Sequence, residues 1–122
     1  MVRLSIVIAA KNEERNISDC VRSARFADEV IVLDSGSTDR TAELAREAGA
    51  TVVATDWPGY GLQQQRGFSL ARGDWVLSLD ADERISASLQ SDILGAIATG
   101  KHDGYRIPRL SELCGRFIHY GG

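Results

Sequence analysis

Two short runs, RLSIVIAA (3–10) and EVIVLD (29–34), restrict the fold of this chain more than anything else in it. Both are rich in β-branched residues and almost continuously apolar, without the polar–apolar alternation of a strand with one wet face. Strands of that kind must be covered on both sides. The covering elements are visible between them. Ile17, Cys20, Val21 and Ala24 fall at i, i+3, i+4 and i+7, one face of a helix. Thr41, Leu44, Ala45 and Ala48 repeat the pattern, with Ser37 or Thr38 of SGSTD as candidate N-cap and Gly49 placed to end the helix. TVVA (51–54) reads as a third strand, DWPGYG as a loop, 62–72 as a polar helix and 74–80 as a fourth strand. Leu89, Ile93, Ala96 and Ile97 mark a fourth helix, and GYRIPRL (104–110) a fifth strand that Pro108 assigns to an edge or a bend. Strands alternating with helices predict a three-layer α/β/α domain with a mostly parallel sheet. The 122 residues suffice for one such core.

In open parallel sheets, ligands bind beyond the carboxyl ends of the strands. Those ends here read AAKNEE, LDSGSTD and LDADE, polar just where each apolar run stops. The third is the most demanding. In GDWVLSLDADER (73–84), an apolar strand runs straight into Asp80, Asp82 and Glu83. Crowded carboxylates at a poorly hydrated position repel each other and lose solvation. Such a cluster calls for positive charge. Residues i and i+2 of an extended segment point the same way, so Asp80 and Asp82 can face one ligand. A hard cation such as Mg²⁺ or Mn²⁺ takes one or two carboxylates and fills its other positions with phosphate oxygens and water. The alternative is a solvated acidic turn that starts the next helix. Asp34 can likewise serve a turn or accept a hydrogen bond from a base or sugar. Glu13 suits a helix start, and Lys11 either a phosphate or solvent.

The formal charge of −3 and pI of about 5.3 argue against a nucleic-acid surface, because phosphate backbones are bound by basic patches. Cys20 and Cys114 are too few and too far apart for a disulfide framework or a metal knuckle. No secretory leader and no run of about 18 apolar residues is visible, so the expectation is a soluble, cytoplasmic domain. Cys20 and Trp75 read as core residues, His102 as a surface residue and His119 as structural. Trp57 and Tyr60, flanking Pro58-Gly59, could pack their loop or wall a sugar or base. From Lys101 onward, four basic residues stand against two acidic ones, either a solvated face or a docking surface for an anionic lipid-linked acceptor.

Taken together, LSIVIAAKNEERNI, EVIVLDSGSTDRT and ARGDWVLSLDADE resemble the family 2 glycosyltransferases of GT-A (nucleotide-diphospho-sugar transferase) fold. GYGLQQQ, DWVLSLDADE and YRIPRLSELCGRFI are similar to a narrower group, the bacterial lipopolysaccharide-core transferases related to β-1,4-glucosyltransferases. The resemblance implies inverting transfer of a hexose, glucose first, from a UDP-sugar to a lipopolysaccharide-core or other cell-envelope glycan. It places Ala9 to Glu13, Lys11 included, against the base and ribose, and Asp34 on the uracil ring. Asp80 would lie near the ribose or the metal, and Asp82 would hold a Mg or Mn ion bridging the diphosphate. Gln64 counts among the donor-binding residues. Many members carry an aromatic residue in place of Lys11 and a second aspartate in place of Ser35, and close relatives often have Lys-Asn where this chain has Gln64-Gln65. The catalytic base of the family lies past a glycine-glycine-tryptophan segment, and none of Glu83, Asp103 or Glu112 matches it. The expectation is therefore that residues 1–122 form the donor-binding part of a transferase, with the acceptor half after Gly122. Its partners would be a nucleotide-sugar donor and a glycan or lipid-linked acceptor, with a peripheral place at the cytoplasmic face of the inner membrane.

Three other readings compete. A sugar-nucleotide pyrophosphorylase shares fold and donor but uses a glycine-rich loop after its first strand, where this chain has IAAKNEE. An aspartate-nucleophile phosphatase places its Asp-x-Asp after the first strand, which here ends in Ala9-Ala10. A non-catalytic nucleotide-binding or interaction module is the third.

Overall fold

A computed structural model describes residues 4–56, 59–99 and 116–119. The elements follow in order β1 (Leu4–Ala10), α1 (Ile17–Ala24), β2 (Glu29–Asp34), α2 (Thr41–Ala48), β3 (Thr51–Ala54), α3 (Tyr60–Leu70), β4 (Trp75–Asp80), α4 (Ala87–Thr99) and β5 (Arg116–His119). They form one five-stranded sheet in the order β3-β2-β1-β4-β5. The first four strands are parallel, and β5 runs antiparallel to β4.

The two-sided burial expected of β1 is what organises the layers. Leu4, Ile6, Ile8 and Ala10 point to one face, where they join Val30, Val32, Trp75, Leu77 and Leu79. Helices α1, α2 and α4 cover that face with Ile17, Cys20, Val21, Ala24, Ala45, Ala48, Leu89, Ile93 and Ile97. Val7 points to the other face with Ile31, Leu33 and Val76, and Phe68 of α3 packs there. The result is α/β/α. Because side chains alternate along a strand, a one-residue slip of β1 would exchange the two faces wholesale. At about 1.5–3 kcal/mol per large apolar side chain buried, that register is strongly held.

Where the structure departs from expectation, the cause is local. Neither Ser37 nor Thr38 caps α2, which begins at Thr41 with Asp39 Oδ1 accepting the Thr41 N–H at 2.9 Å. Ser37 and Thr38 are instead bonded to Asn12, on the loop after β1. Gly49 does end α2, at φ 112°. Helix α3 takes in Tyr60 and Gly61, read above as loop, and stops at Leu70, where Ala71 turns extended. The strand expected at 104–110, the basic stretch from Lys101 onward except for Arg116, Trp57, His102, Asp103, Glu112 and Cys114 lie outside the described residues. Arg116–His119 supplies the fifth strand, with His119 opposite Trp75 in the ladder.

Two contacts away from the ligand-binding end of the sheet hold the layers together. Gly67 brings α3 so near the sheet that a Cβ built on it would sit 2.3 Å from Val7 Cγ1. Glu29, whose side chain is 9% exposed, accepts from Ser5 Oγ at 2.7 Å and from the Arg72 backbone N–H at 2.9 Å. Arg72 Nε adds a third bond at 2.7 Å, and Ser5 Oγ accepts the Gly73 N–H at 2.9 Å, tying β1, β2 and the α3–β4 turn. Burial works to raise the Glu29 carboxyl. The hydrogen bonds from Arg72 and Ser5 and the Arg72 charge outweigh it, and the net shift is downward.

Gly67→Ala is expected to destabilise the fold by about 1–3 kcal/mol in denaturant unfolding, the range for forced overpacking, and Val7→Ala in the same chain should recover part of the loss. Since the folded value of Glu29 lies below its ordinary 4.5, its contribution is present above that pH and fades as the pH falls through the lower folded value. Glu29→Gln should therefore cost about 1 kcal/mol at neutral pH, discounted for the exposed Arg72, and the gap to wild type should close in acid melts.

Candidate functional site

The strand order decides where ligands can approach. The chain steps from β1 outward to β2 and β3, then crosses back to lay β4 on the other side of β1. The crevice beyond the carboxyl ends at such a reversal is the usual ligand position in open α/β sheets. The register brings three strand ends level: Ala9 pairs with Leu33 on one side and Asp80 on the other, and Ala10 pairs with Asp34. With neighbouring strands about 4.8 Å apart, the backbones of Asp34 and Asp80 flank β1 at roughly 10 Å from each other.

A cleft of about 520 Å³ opens there, lined by Ala9, Ala10, Lys11, Glu13, Ser35, Asp80, Ala81 and Asp82. Five of the residues expected from sequence thus meet in one place: Ala9, Lys11, Glu13, Asp80 and Asp82. Asp34 lies just behind Ser35, 8% exposed, with Oδ1 accepting Ser37 N–H at 3.1 Å and Ser37 Oγ at 2.5 Å. The Asx-type turn weighed for it is therefore present, immediately beside the cleft. Gln64 lies on α3, with its side chain outside the described residues. A larger cleft, of about 850 Å³, lies between the end of β3 and α3, where Arg66 pairs with Asp56. No carboxylate cluster converges in it among the described residues.

Asp80 and Asp82 reach the same cleft by a different route from the extended one expected. Residues 81 and 82 form a turn, closed by two reciprocal bonds: Asp80 N–H to Glu83 Oε1 at 2.8 Å, and Glu83 N–H to the Asp80 carbonyl at 2.9 Å. Ala81 is 2% exposed and plugs the core, leaving the two aspartates on either side of it facing out. Glu83 thus serves the turn. Desolvation, followed by the like charges of Asp82 and Glu13, pushes the Asp80 carboxyl above its ordinary range. Desolvation also pushes Glu83 up, reinforced by Asp80 and Asp82 against the bond from the Asp80 N–H. With one lysine against three carboxylates in its lining, the cleft favours a cation, or an anion that brings one.

The donor set suits a hard divalent ion. It consists of carboxylate oxygens, with space beside them for phosphate and water. Among the described residues no three His, Cys, Asp or Glu side chains close a full cage, so a ligand would have to complete the coordination.

Sequence reasoning passed over the residues that join the first two strand ends. Three consecutive N–H groups after β1 each meet a side chain from the segment after β2: Asn12 to Ser37 Oγ at 2.8 Å, Glu13 to Thr41 Oγ1 at 2.8 Å, and Glu14 to Asp39 Oδ2 at 3.3 Å. In return, Asn12 Oδ1 accepts the Thr38 N–H at 2.8 Å. Asn12 sits at φ 54°, a region that side chains other than glycine enter reluctantly, at about 1 kcal/mol, and that asparagine tolerates best. The bond from Thr41 Oγ1 is the main reason the Asp39 carboxyl lies below its ordinary range. The signal in sequence was the density of Ser, Thr and Asp in SGSTD, whose hydroxyls were read above as helix caps. With these N–H groups already bonded to side chains, they are not arranged as a phosphate-binding nest.

A mostly parallel α/β sheet with an acidic cleft at its strand reversal is a common setting for enzymes that bind phosphorylated ligands. The chain belongs to glycosyl transferase family 2, whose pattern matches residues 5–112. It is 41% identical over 106 residues to an uncharacterized glycosyltransferase of Rickettsia typhi, covering 86% of this chain and 36% of that protein. It is 32% identical over 118 residues to a lipopolysaccharide core biosynthesis glycosyltransferase of Rhizobium meliloti, covering 92% and 44%. The chain thus spans well under half the length of these relatives. Among solved structures, glucosyl-3-phosphoglycerate synthase of Mycobacterium tuberculosis, in complex with Mn²⁺, UDP-glucose and phosphoglyceric acid, superposes with a TM-score of 0.70 at 32% identity, covering 84% of this chain and 42% of that one. The same enzyme has been solved with Mg²⁺ and UDP. The fold is therefore GT-A. No helix among the described residues is long and apolar enough to cross a membrane.

Cys20 lies beneath this site, fully buried on α1, with Sγ donating to the Asp80 carbonyl at 3.5 Å. Burial pushes its thiol up to about 12. It should resist alkylation by iodoacetamide at neutral pH in the folded chain and react on unfolding, as read by peptide mass spectrometry at residue 20.

Proposed function

We propose that residues 1–122 are the donor-binding part of an inverting glycosyltransferase that moves a hexose, glucose first, from a UDP-sugar to a lipopolysaccharide-core or other cell-envelope glycan. The observation behind this reading is the meeting of Asp80 and Asp82 with the ends of β1 and β2 in one cleft of about 520 Å³. It is supported by the names of the relatives and by the ligands of the mycobacterial synthase.

Each residue then has a task. Ala9 and Ala10 are small enough to leave a floor on which base and ribose can lie, beside Glu13. The Asp34 carboxylate accepts the ring N–H of uracil, a donor that cytosine and adenine lack in that position. Lys11 pairs with a phosphate oxygen at the mouth of the cleft. Asp80 and Asp82 hold Mg²⁺ or Mn²⁺, held in place themselves by the Glu83 turn and the Ala81 plug. When bound, such an ion neutralises the diphosphate and stabilises the charge that develops on the departing UDP. In the transfer, an acceptor hydroxyl oxygen bonds to the anomeric carbon as the bond from that carbon to the β-phosphate oxygen breaks. The hydroxyl proton passes to a carboxylate base, a role we give to no described residue. A glycan or lipid-linked acceptor fits a place at the cytoplasmic face of the inner membrane.

Calorimetric titration of UDP and UDP-glucose, with and without Mn²⁺, tests the reading. Wild type should bind in a metal-dependent way, and Asp82→Ala should weaken binding at least tenfold, about 1.4 kcal/mol. Folded wild type that binds neither ligand would overturn the proposal.

A further inference from the structure

Asn12 makes a contact that its position in the chain does not require. It follows the end of β1, yet both its backbone and its side chain are engaged by the segment after β2. Its N–H donates to Ser37 Oγ at 2.8 Å, and its Oδ1 accepts from Thr38 N at 2.8 Å and Thr38 Oγ1 at 3.4 Å. To do this it holds φ at 54°, and it is the one residue other than glycine with positive φ among the described residues. A strained backbone persists where its surroundings over-determine it, and here three hydrogen bonds do so.

The chain of bonds continues inward. Ser37 Oγ, having accepted from Asn12, passes its own hydrogen to Asp34 Oδ1 at 2.5 Å, and Ser37 N donates to the same oxygen at 3.1 Å. Accepting one hydrogen bond polarises a hydroxyl and strengthens the one it donates. The relay runs from the Asn12 N–H through the Ser37 hydroxyl to a carboxylate that is 8% exposed. It commits Oδ1 to the protein and sets the plane of the group.

We propose that Asn12, acting through Ser37, is a positioning residue that fixes the Asp34 carboxylate so that its second oxygen meets the base, and that this relay sets the preference for a uracil nucleotide. The inference rests on the donor-binding reading above, with Asp34 as the base-reading group.

The test is the ratio of UDP to ADP affinity at saturating Mn²⁺, measured by calorimetry on the 122-residue chain. The ratio cancels losses that come from general loosening of the fold or from a charge near the diphosphate. Wild type should prefer UDP at least tenfold. Asn12→Gly takes the same φ without strain and keeps the N–H that meets Ser37, but it loses the Oδ1 bonds to Thr38 that hold the two loops in register for that contact, so its ratio should fall several-fold toward one. Asn12→Asp keeps both the left-handed backbone and the acceptor oxygen, and should retain the wild-type ratio. Ser37→Ala removes the relay hydroxyl itself and should lower the ratio at least as far as Asn12→Gly, which carries the test if the glycine variant fails to fold. An unchanged ratio in Asn12→Gly and Ser37→Ala, or equal loss in Asn12→Gly and Asn12→Asp, would overturn the inference while leaving the donor site standing. Wild type that binds UDP no better than ADP would overturn both.

Discussion

Everything at the cleft depends on the backbone hydrogen bonding of β1 along both of its edges. Because β1 pairs with β2 and β4 in parallel, all three chains arrive at the same end of the sheet and leave it level with one another. Ladder bonds and two-sided apolar burial leave no freedom to slide. The carboxylates that end β2 and β4 are therefore delivered to opposite sides of two alanines, with spacing set by the sheet rather than by any contact between them. Three helices on one face and α3 on the other supply the burial that makes the arrangement rigid.

Two aspartates at equivalent strand ends are treated in opposite ways. Asp34 is buried and receives two hydrogen bonds from Ser37, the arrangement of a group with fixed orientation. Asp80 is met by desolvation and by the like charges of Asp82 and Glu13, the arrangement of a group that awaits positive charge. The first suits reading a neutral ring, the second suits holding a cation. The difference comes from neighbours, since the side chains are identical.

Much of this was legible in the residues. The boundaries of β1, β2 and β3, and the buried faces of α1 and α2, follow from apolar periodicity, which needs only local geometry. So does the clustering of Ala9, Lys11, Glu13, Asp80 and Asp82, because parallel strands must bring their carboxyl ends together. What escaped was held by long-range contacts. Ser37 and Thr38 have the chemistry of helix caps, yet their hydrogen bonds go to Asn12, some 25 residues away in sequence. Glu83 was decided locally instead: of the two roles open to the acidic run, its oxygen takes the turn, closing on Asp80 three residues back. Side chains that can serve two partners are decided by which partner the fold brings near.

The sequence alone determined that this chain forms a parallel α/β sheet and that its acidic residues gather where the apolar runs end. Both depend on periodicity and chain direction, which are local properties. Tertiary structure decided the order β3-β2-β1-β4-β5, hence which strand ends share a cleft, and decided that Asn12 clasps the neighbouring loop. Those outcomes require residues distant in sequence to compete for the same hydrogen-bonding groups, and only the packed chain resolves that competition.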